Sequence, residues 1–477
     1  MRGWLGGCAL VAAAGCVDIG DNGAPGGGPD DDVPVPGDGF AMRVVATALA
    51  EPVELTWGPD DRLWITERVG RRITRVDPTD LAKTAVLTIP DAVQTGADDG
   101  VLGLALDPEL LRGTGHDHLY VAYTYDADPT DGIGRATKLR RYTFDPTTES
   151  LVDGVDLLIG LPAGDQHNGG RLVLGPDRRL YLSIGDLGGN EGARKCTPIA
   201  SQRLPTRGEV DERYWGAYAG KVLRLELDGS IPADNPVLAG VRSHVFTYGH
   251  RDLQGLAFGR DGTLYAADRG PKTDDELEVL VAGRNYGWPH VAGYRDDRAY
   301  AYGDWSAAAD CAELTYDAYT LPASVPVQAE TAWTHPDFTP PIQTFGTVDD
   351  DYRFRDPTCV DFETMCWPTT APGSLDVYGF GHEGIPGWDH ALLVPSLKDG
   401  ALYRVALTDD GQQAAAAPVR MFDTINRYRD VAIAPDGLTI YVLTDSEGIT
   451  RKECPAGTAR LEHPGSVLAF TYTRPRG

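Results

Sequence analysis

The sequence predicts an all-β fold: a six-bladed β-propeller with four-stranded antiparallel blades and long inserted loops. One phrase recurs along the chain, an apolar alternation, a tight turn and then an apolar-aromatic strand. It reads "LTWGPDDRLWITE" from Leu55, "LVLGPDRRLYLSIGD" from Leu172, "LAFGRDGTLYAADRG" from Leu256 and "VAIAPDGLTIYVLTD" from Val431, with further copies from Leu104 and Leu392. Period-2 alternation on both sides of a Pro-Asp or Asp-Gly turn marks a β-hairpin. No convincing helical period separates the copies. Six copies across residues 40–477 leave roughly 70 residues per blade, against about 40–50 in compact propeller repeats, so long insertions are expected. A stacked pair of β-sandwiches is the structural rival.

In chain order, residues 1–16 read as an export signal. Arg2 supplies the positive region, Trp4 to Ala14 the short apolar stretch, and Ala13-Ala14-Gly15-Cys16 resembles a lipobox that makes Cys16 the expected lipid anchor. The apolar stretch falls short of the roughly 20 residues needed to span a bilayer. Residues 17–39 carry six aspartates, many Gly and Pro, and no Lys or Arg, the composition of an unstructured tether. Residues 40–477 are then the propeller domain, exported and held at a membrane facing the periplasm or cell exterior.

Export implies an oxidising compartment in which disulfides persist. Cys359 and Cys366 are close enough in sequence to close a small loop, while Cys196, Cys311 and Cys454 cannot all pair with one another. The largest non-repetitive stretch, 285–390, is rich in Tyr, Trp, Asp and Pro, as loops that build a site on a rigid scaffold often are. With 70 acidic against 43 basic residues the formal charge is −27. Such a field repels nucleic acid and anionic membrane surfaces, which excludes both as natural partners.

One stretch stands out chemically. In "GDQHNGGRLVLGPDRRLYLSIGD", Gly164 to Asp186, an imidazole, His167, sits on the lip of a strand, and a carboxylate, Asp186, is expected at that strand's far end. Together with "GKVLRLELDGSIPADNPVLAG" (Gly220–Gly240), the run from Tyr248 to Tyr294, "YRFRDPTCVDFETMCWPTTAPGS", "LLVPSLKDGALYR" and "NRYRDVAIAPDG", it resembles the soluble PQQ-dependent glucose dehydrogenases. PQQ is pyrroloquinoline quinone, and the likeness runs from about residue 45 to the end.

The resemblance implies an oxidoreductase that converts the anomeric C1 hydroxyl of an aldose to a lactone by hydride transfer to PQQ. Electrons then pass to an external acceptor such as a cytochrome or quinone. It makes His167 the base, Asp186 its orienting carboxylate and Arg251 the cation for charge developing on the quinone. Lys398, Arg427 and Arg429 become the clamp for the cofactor carboxylates, with "RYR" placing both guanidiniums on one strand face. Thr369 adds a hydrogen bond to the cofactor, and Trp367 walls the sugar. One calcium is implied at the carbonyls of Gly270 and Pro271. A second is implied at Glu276, Asp296 and Glu330 with the carbonyls of Ala292 and Tyr294, near the interface of a possible homodimer.

The sequence departs from the family where sugar is read. Asp98, Gln166, Glu191 and Thr364 replace the pattern's own residues, which implies a different aldose, a larger or disaccharide substrate, or an amino sugar. Asp252, beside Arg251, replaces an asparagine at the cofactor. A carboxylate there opposes negative charge on the quinone unless it is protonated or turned toward Arg251. That leaves an alternative, a non-catalytic propeller that binds a glycan or a protein.

Overall fold

The computed structural model describes residues 33–35, 39–96, 98–130, 132–355, 363–451 and 461–473. The export signal, Cys16, most of the tether, Cys359 and Cys454 lie outside them. Among the described residues no helix is long and apolar enough to cross a membrane.

Five of the six recurring phrases form the inner hairpin of a blade, and the one from Leu392 forms the second and third strands of blade 5. Blade 1 holds Pro52–Trp57, Leu63–Glu67, Arg72–Val76 and Lys83–Thr88, and blade 2 holds Val101–Leu106, His118–Asp126, Arg135–Asp145 and Ser150–Pro162. Blade 3 holds Gly169–Leu174, Leu180–Ile184, Lys221–Leu225 and Val245–Tyr248, and blade 4 holds Leu253–Phe258, Leu264–Asp268, Asp275–Leu280 and Gln343–Phe345. Blade 5 holds Asp376–Tyr378, Ala391–Ser396, Ala401–Ala406 and Val419–Met421. Blade 6 joins Tyr428–Ile433, Thr439–Thr444 and Val467–Tyr472 to Phe40–Ala46, so both ends of the domain close the ring. Strand pairing within every blade is antiparallel.

Alternation fixes the packing. The apolar side chains of each sheet interdigitate with the next blade: Tyr120 and Leu139 of blade 2, for example, share a core cluster with Leu182 and Leu223 of blade 3. Burying each such side chain is worth roughly 1.5–3 kcal/mol. The innermost strands meet around the axis, where charge replaces apolar packing. Arg171 of blade 3 pairs there with Glu54 of blade 1 and, at 2.9 Å, with Asp430 of blade 6. Burial pushes the carboxyls of Glu54 and Asp376 up, to about 8 and about 7.

Three expectations are corrected. The stretch from Gly164 to Asp186 is not one strand but a hairpin, with Leu174 opposite Leu180, so its two ends return to the same rim. The tether is not wholly unstructured, because Val33–Val35 pairs with Phe40–Met42 as a fifth strand on blade 6. Arg427 precedes the strand that holds Arg429 and is not on its face.

Cys196 and Cys311, 115 residues apart, form a disulfide. It staples the insertion of blade 3 to the long insertion of blade 4 beside it. Cys366 is also disulfide-bonded.

Candidate active site

One rim of the propeller receives the same two positions from every blade: the loop entering the first strand and the loop leaving the second. At this rim a cleft of about 380 Å³ is lined by residues of blades 3, 4, 5 and 6, with Asp98 from the entrance to blade 2. The hairpin therefore explains how residues far apart in sequence converge.

Blade 3 brings His167 and Asp186 together, with Nδ1 2.7 Å from Asp186 Oδ1. Asp186 also accepts from Trp288 Nε1 at 2.8 Å and from the Gly188 amide at 2.8 Å. His167 is held at φ 49°, a left-handed conformation rare outside glycine and costly unless its surroundings enforce it. Here they do: the Leu187 amide donates to the His167 carbonyl. Gly185 is required beside it, since a Cβ there would sit 1.9 Å from that carbonyl oxygen. Burial and Arg251 push the imidazolium down, but Asp186 outweighs both, so the His167 pKa rises above its ordinary value. Burial alone would raise Asp186, yet His167 and Arg251 hold it low.

Blade 4 presents Arg251. Burial disfavours its charge, but Glu191, Asp186 and Asp252 more than compensate. Its Nη2 lies 3.1 and 3.3 Å from the two Glu191 oxygens, its Nη1 donates to the carbonyls of Arg269 and Gly270, and its guanidinium lies over the Trp288 ring. Asp252 turns not to Arg251 but to Gln254 Nε2, at 2.8 Å, and to Arg269, at 3.5 Å. Asp268, ending the second strand, accepts from the Arg251 and Asp252 amides and so fixes this loop. Behind it lie His250 and Glu278, the only group of three close His, Cys, Asp or Glu side chains among the described residues once Asp268 is included.

Blades 5 and 6 carry the cations. Lys398 Nζ donates to Thr369 Oγ1 and to the Trp367 carbonyl, each at 2.9 Å. Its pKa falls to about 7, because burial and then Arg451 oppose its charge more than Asp275 and Asp399 support it. Arg427 lines the cleft, whereas Arg429 stands behind it, and both bind Asp445, at 3.0 and 2.7 Å. Burial would raise Asp445, but Arg429 and Arg427 hold it below the usual carboxylate range. Asp275 ties blade 4 to blade 5, accepting from the amides of Gly270, Thr370 and Ala371.

Gln166, Asp98, Thr364 and Trp367 border the same cleft, with Trp367 Nε1 donating to Tyr319. Asp98 pairs with Arg68 at 3.2 Å. Glu191 belongs to an adjoining chamber of about 240 Å³, lined by Trp288, Tyr300, Tyr302, Trp305, Tyr316 and Tyr319, which shares Pro271 and Trp367 with the cleft. The carbonyl-bearing pair Gly270 and Pro271 lies on the cleft wall. Farther out, Glu276 accepts from the Gly293 amide, and Glu330 accepts from the amides of Ala292, Asp296 and Asp297. The Tyr294 carbonyl accepts from Asp296. These carboxylates engage one loop's backbone and do not gather as a three-acid cluster.

Sequence reasoning missed Trp288, Asp275, Asp445 and Arg269. Asp445 left a signal: an acid ends or follows the second strand in blades 1, 2, 3, 4 and 6, as Glu67, Asp126, Asp186, Asp268 and Asp445.

The model of the glucose/sorbosone dehydrogenase family matches residues 49–325 and 350–451. The chain belongs to the glucose/sorbosone dehydrogenase family. Within it, the chain is 43% identical over 438 residues to quinoprotein glucose dehydrogenase B of Acinetobacter calcoaceticus, covering 91% of each. It is 23% identical to an aldose sugar dehydrogenase of Escherichia coli (strain K12), covering 87% of this chain and 92% of that one. The fold also matches the PQQ-bound aldose sugar dehydrogenase of Streptomyces coelicolor at a TM-score of 0.60 and 24% identity, over 91% of this chain and 98% of that one.

Proposed function

We propose that this family member is an exported, PQQ- and calcium-dependent aldose dehydrogenase that oxidises the C1 hydroxyl of a sugar to a lactone and passes electrons to an external cytochrome or quinone. The observation that carries the reading is one cleft holding both a carboxylate-backed imidazole and the cations Arg251, Arg269, Lys398 and Arg427. The fit to the cofactor rests on unspent donors: Arg251 Nε and Arg269 Nη2 are buried without a hydrogen-bond partner. An anionic, multi-carboxylate quinone answers that need. The Gly270 and Pro271 carbonyls are the hard oxygen donors calcium prefers. When bound, PQQ supplies a hydride acceptor and calcium a Lewis acid.

The chain's own residues do the rest. Asp186 is an acceptor only, so it keeps the His167 proton on Nδ1 and leaves the Nε2 lone pair as the base. Nε2 takes the proton of the C1 hydroxyl, and Asp186 stabilises the resulting imidazolium. Arg251 offers a fixed cation for negative charge that develops beside the sugar. Trp367 provides an apolar wall, and the aromatic chamber beside it has room for a second ring, which favours substrates up to disaccharides.

Lipid anchorage at Cys16 fits the Cys196–Cys311 disulfide, a bond that persists in oxidising compartments. A second calcium at Glu276, Asp296, Glu330 and the carbonyls of Ala292 and Tyr294 would neutralise Glu330, which burial raises to about 7. It would brace the loop proposed to face a second copy of the chain.

The test mixes purified protein with PQQ and calcium and follows dye reduction across a panel of aldoses. Activity that vanishes on chelation and returns with calcium is the expected result. Failure to bind PQQ would overturn the reading in favour of a glycan- or protein-binding propeller.

A further inference from the structure

We infer that Asp252 and Arg269 act as one unit, in which Arg269 is a second guanidinium donating to an anionic oxygen of the bound cofactor and Asp252 is the residue that positions it. The inference rests on the proposed cofactor reading and explains the carboxylate beside Arg251.

Both side chains come from the rim of blade 4, Asp252 entering its first strand and Arg269 leaving its second, and both line the cleft. Asp252 is nearly fully buried and its direction is fixed from two sides. Its amide donates to Asp268 Oδ1 at 2.6 Å, and its Oδ1 accepts from Gln254 Nε2 at 2.8 Å. That leaves Oδ2 facing Arg269 Nη1 at 3.5 Å. Arg269 is pinned from the other side, with Nε donating to the Pro372 carbonyl of the neighbouring blade at 3.0 Å. Its Nη2 alone has no partner, although that atom is shut off from solvent.

A planar guanidinium fixed at Nε and Nη1 has no freedom left to choose where Nη2 points. A cationic N–H held without an acceptor is costly, and an anionic oxygen brought to it restores the lost hydrogen bond. Asp252 therefore does not simply add negative charge beside the cofactor. It balances Arg269 and aims it.

The test measures the dissociation constant of PQQ for the calcium-loaded full-length protein, and the midpoint potential of the bound cofactor, in wild type, Arg269→Gln, Asp252→Asn and the double variant. Arg269→Gln should weaken PQQ binding tenfold or more and lower the midpoint potential, since a cation that favours the reduced, anionic form is lost. Asp252→Asn separates the two roles by sign. Loss of aim weakens PQQ binding several-fold, whereas loss of a bystander negative charge tightens it.

In the double variant, binding no weaker than in Arg269→Gln alone is the expected non-additivity. Unchanged affinity and potential in Arg269→Gln, or tighter binding in Asp252→Asn, would overturn the inference. If Arg269→Gln does not fold, the isosteric Asp252→Asn still decides through its sign. Wild-type protein that fails to bind PQQ would instead sink the cofactor reading itself, so the two failures are distinguishable.

Discussion

Asp186 in blade 3 and Asp445 in blade 6 occupy corresponding places: each follows the second strand of its hairpin and reaches back to the loop entering the first. Their partners differ. Asp186 meets an imidazole at 2.7 Å and keeps it in one tautomer with a raised pKa. Asp445 meets two guanidiniums, whose charge never titrates, and so acts as a counter-ion that fixes them. The fold supplies the carboxylate, and the residue opposite decides whether it tunes an imidazole or fixes a pair of guanidiniums.

The largest effects are expected in blade 3. His167→Gln should lower turnover by about 10²–10⁴-fold or more while PQQ binding persists, measured as dye reduction against a binding isotherm. Asp186→Asn should cost a similar factor, because an amide can stabilise the wrong tautomer. It should also move the pH profile. In the proposed mechanism neutral His167 is the working form, so activity should fall as pH drops through its raised pKa. Without Asp186 that acid limb shifts to lower pH, and an unmoved limb would mean that another group titrates there.

On the blade 6 side, Asp445→Asn should spare turnover at saturating cofactor but leave two buried cations unbalanced. The expected cost is about 3–5 kcal/mol of stability with weaker PQQ binding, read by denaturant melts and titration. A smaller effect tests Lys398, whose pKa of about 7 leaves it partly neutral near pH 7. Anionic cofactor should bind with proton uptake, and its affinity should fall as pH rises above 7, by at most tenfold per unit. Calorimetry in buffers of different ionisation enthalpy measures that proton. Farthest from the reacting groups, Cys196→Ser with Cys311→Ser should leave turnover unchanged while lowering stability by about 4–5 kcal/mol in the chain-entropy picture, seen as a lower Tm.

The hairpins were legible because their signals are local: alternation, a Pro-Asp or Asp-Gly turn, an aromatic strand. His167, Arg251 and Lys398 were legible because they lie in motifs that read as continuous text. What stayed hidden was contact across the rim. Nothing local says that Trp288 donates to Asp186 across 102 residues, or that Asp275 holds the amides of Thr370 and Ala371. Asp186 is misplaced at a far end only if the Pro176-Asp177 turn, which marks this phrase as a hairpin, is overlooked, because that turn returns Asp186 to the rim of His167. The Cys196–Cys311 pair was equally silent, since loop closure leaves no mark on either segment.

The sixth blade has a consequence in time. Phe40–Ala46 is among the first strands of the domain to be made, yet its partner Val467–Tyr472 is among the last. Arg427, Arg429 and Asp445 sit on that same blade. A chain that emerges N-terminus first thus completes the proposed cofactor seat only at the moment the circle shuts. A cofactor seated there certifies a finished ring, and by mass action it keeps the ring's two ends from parting.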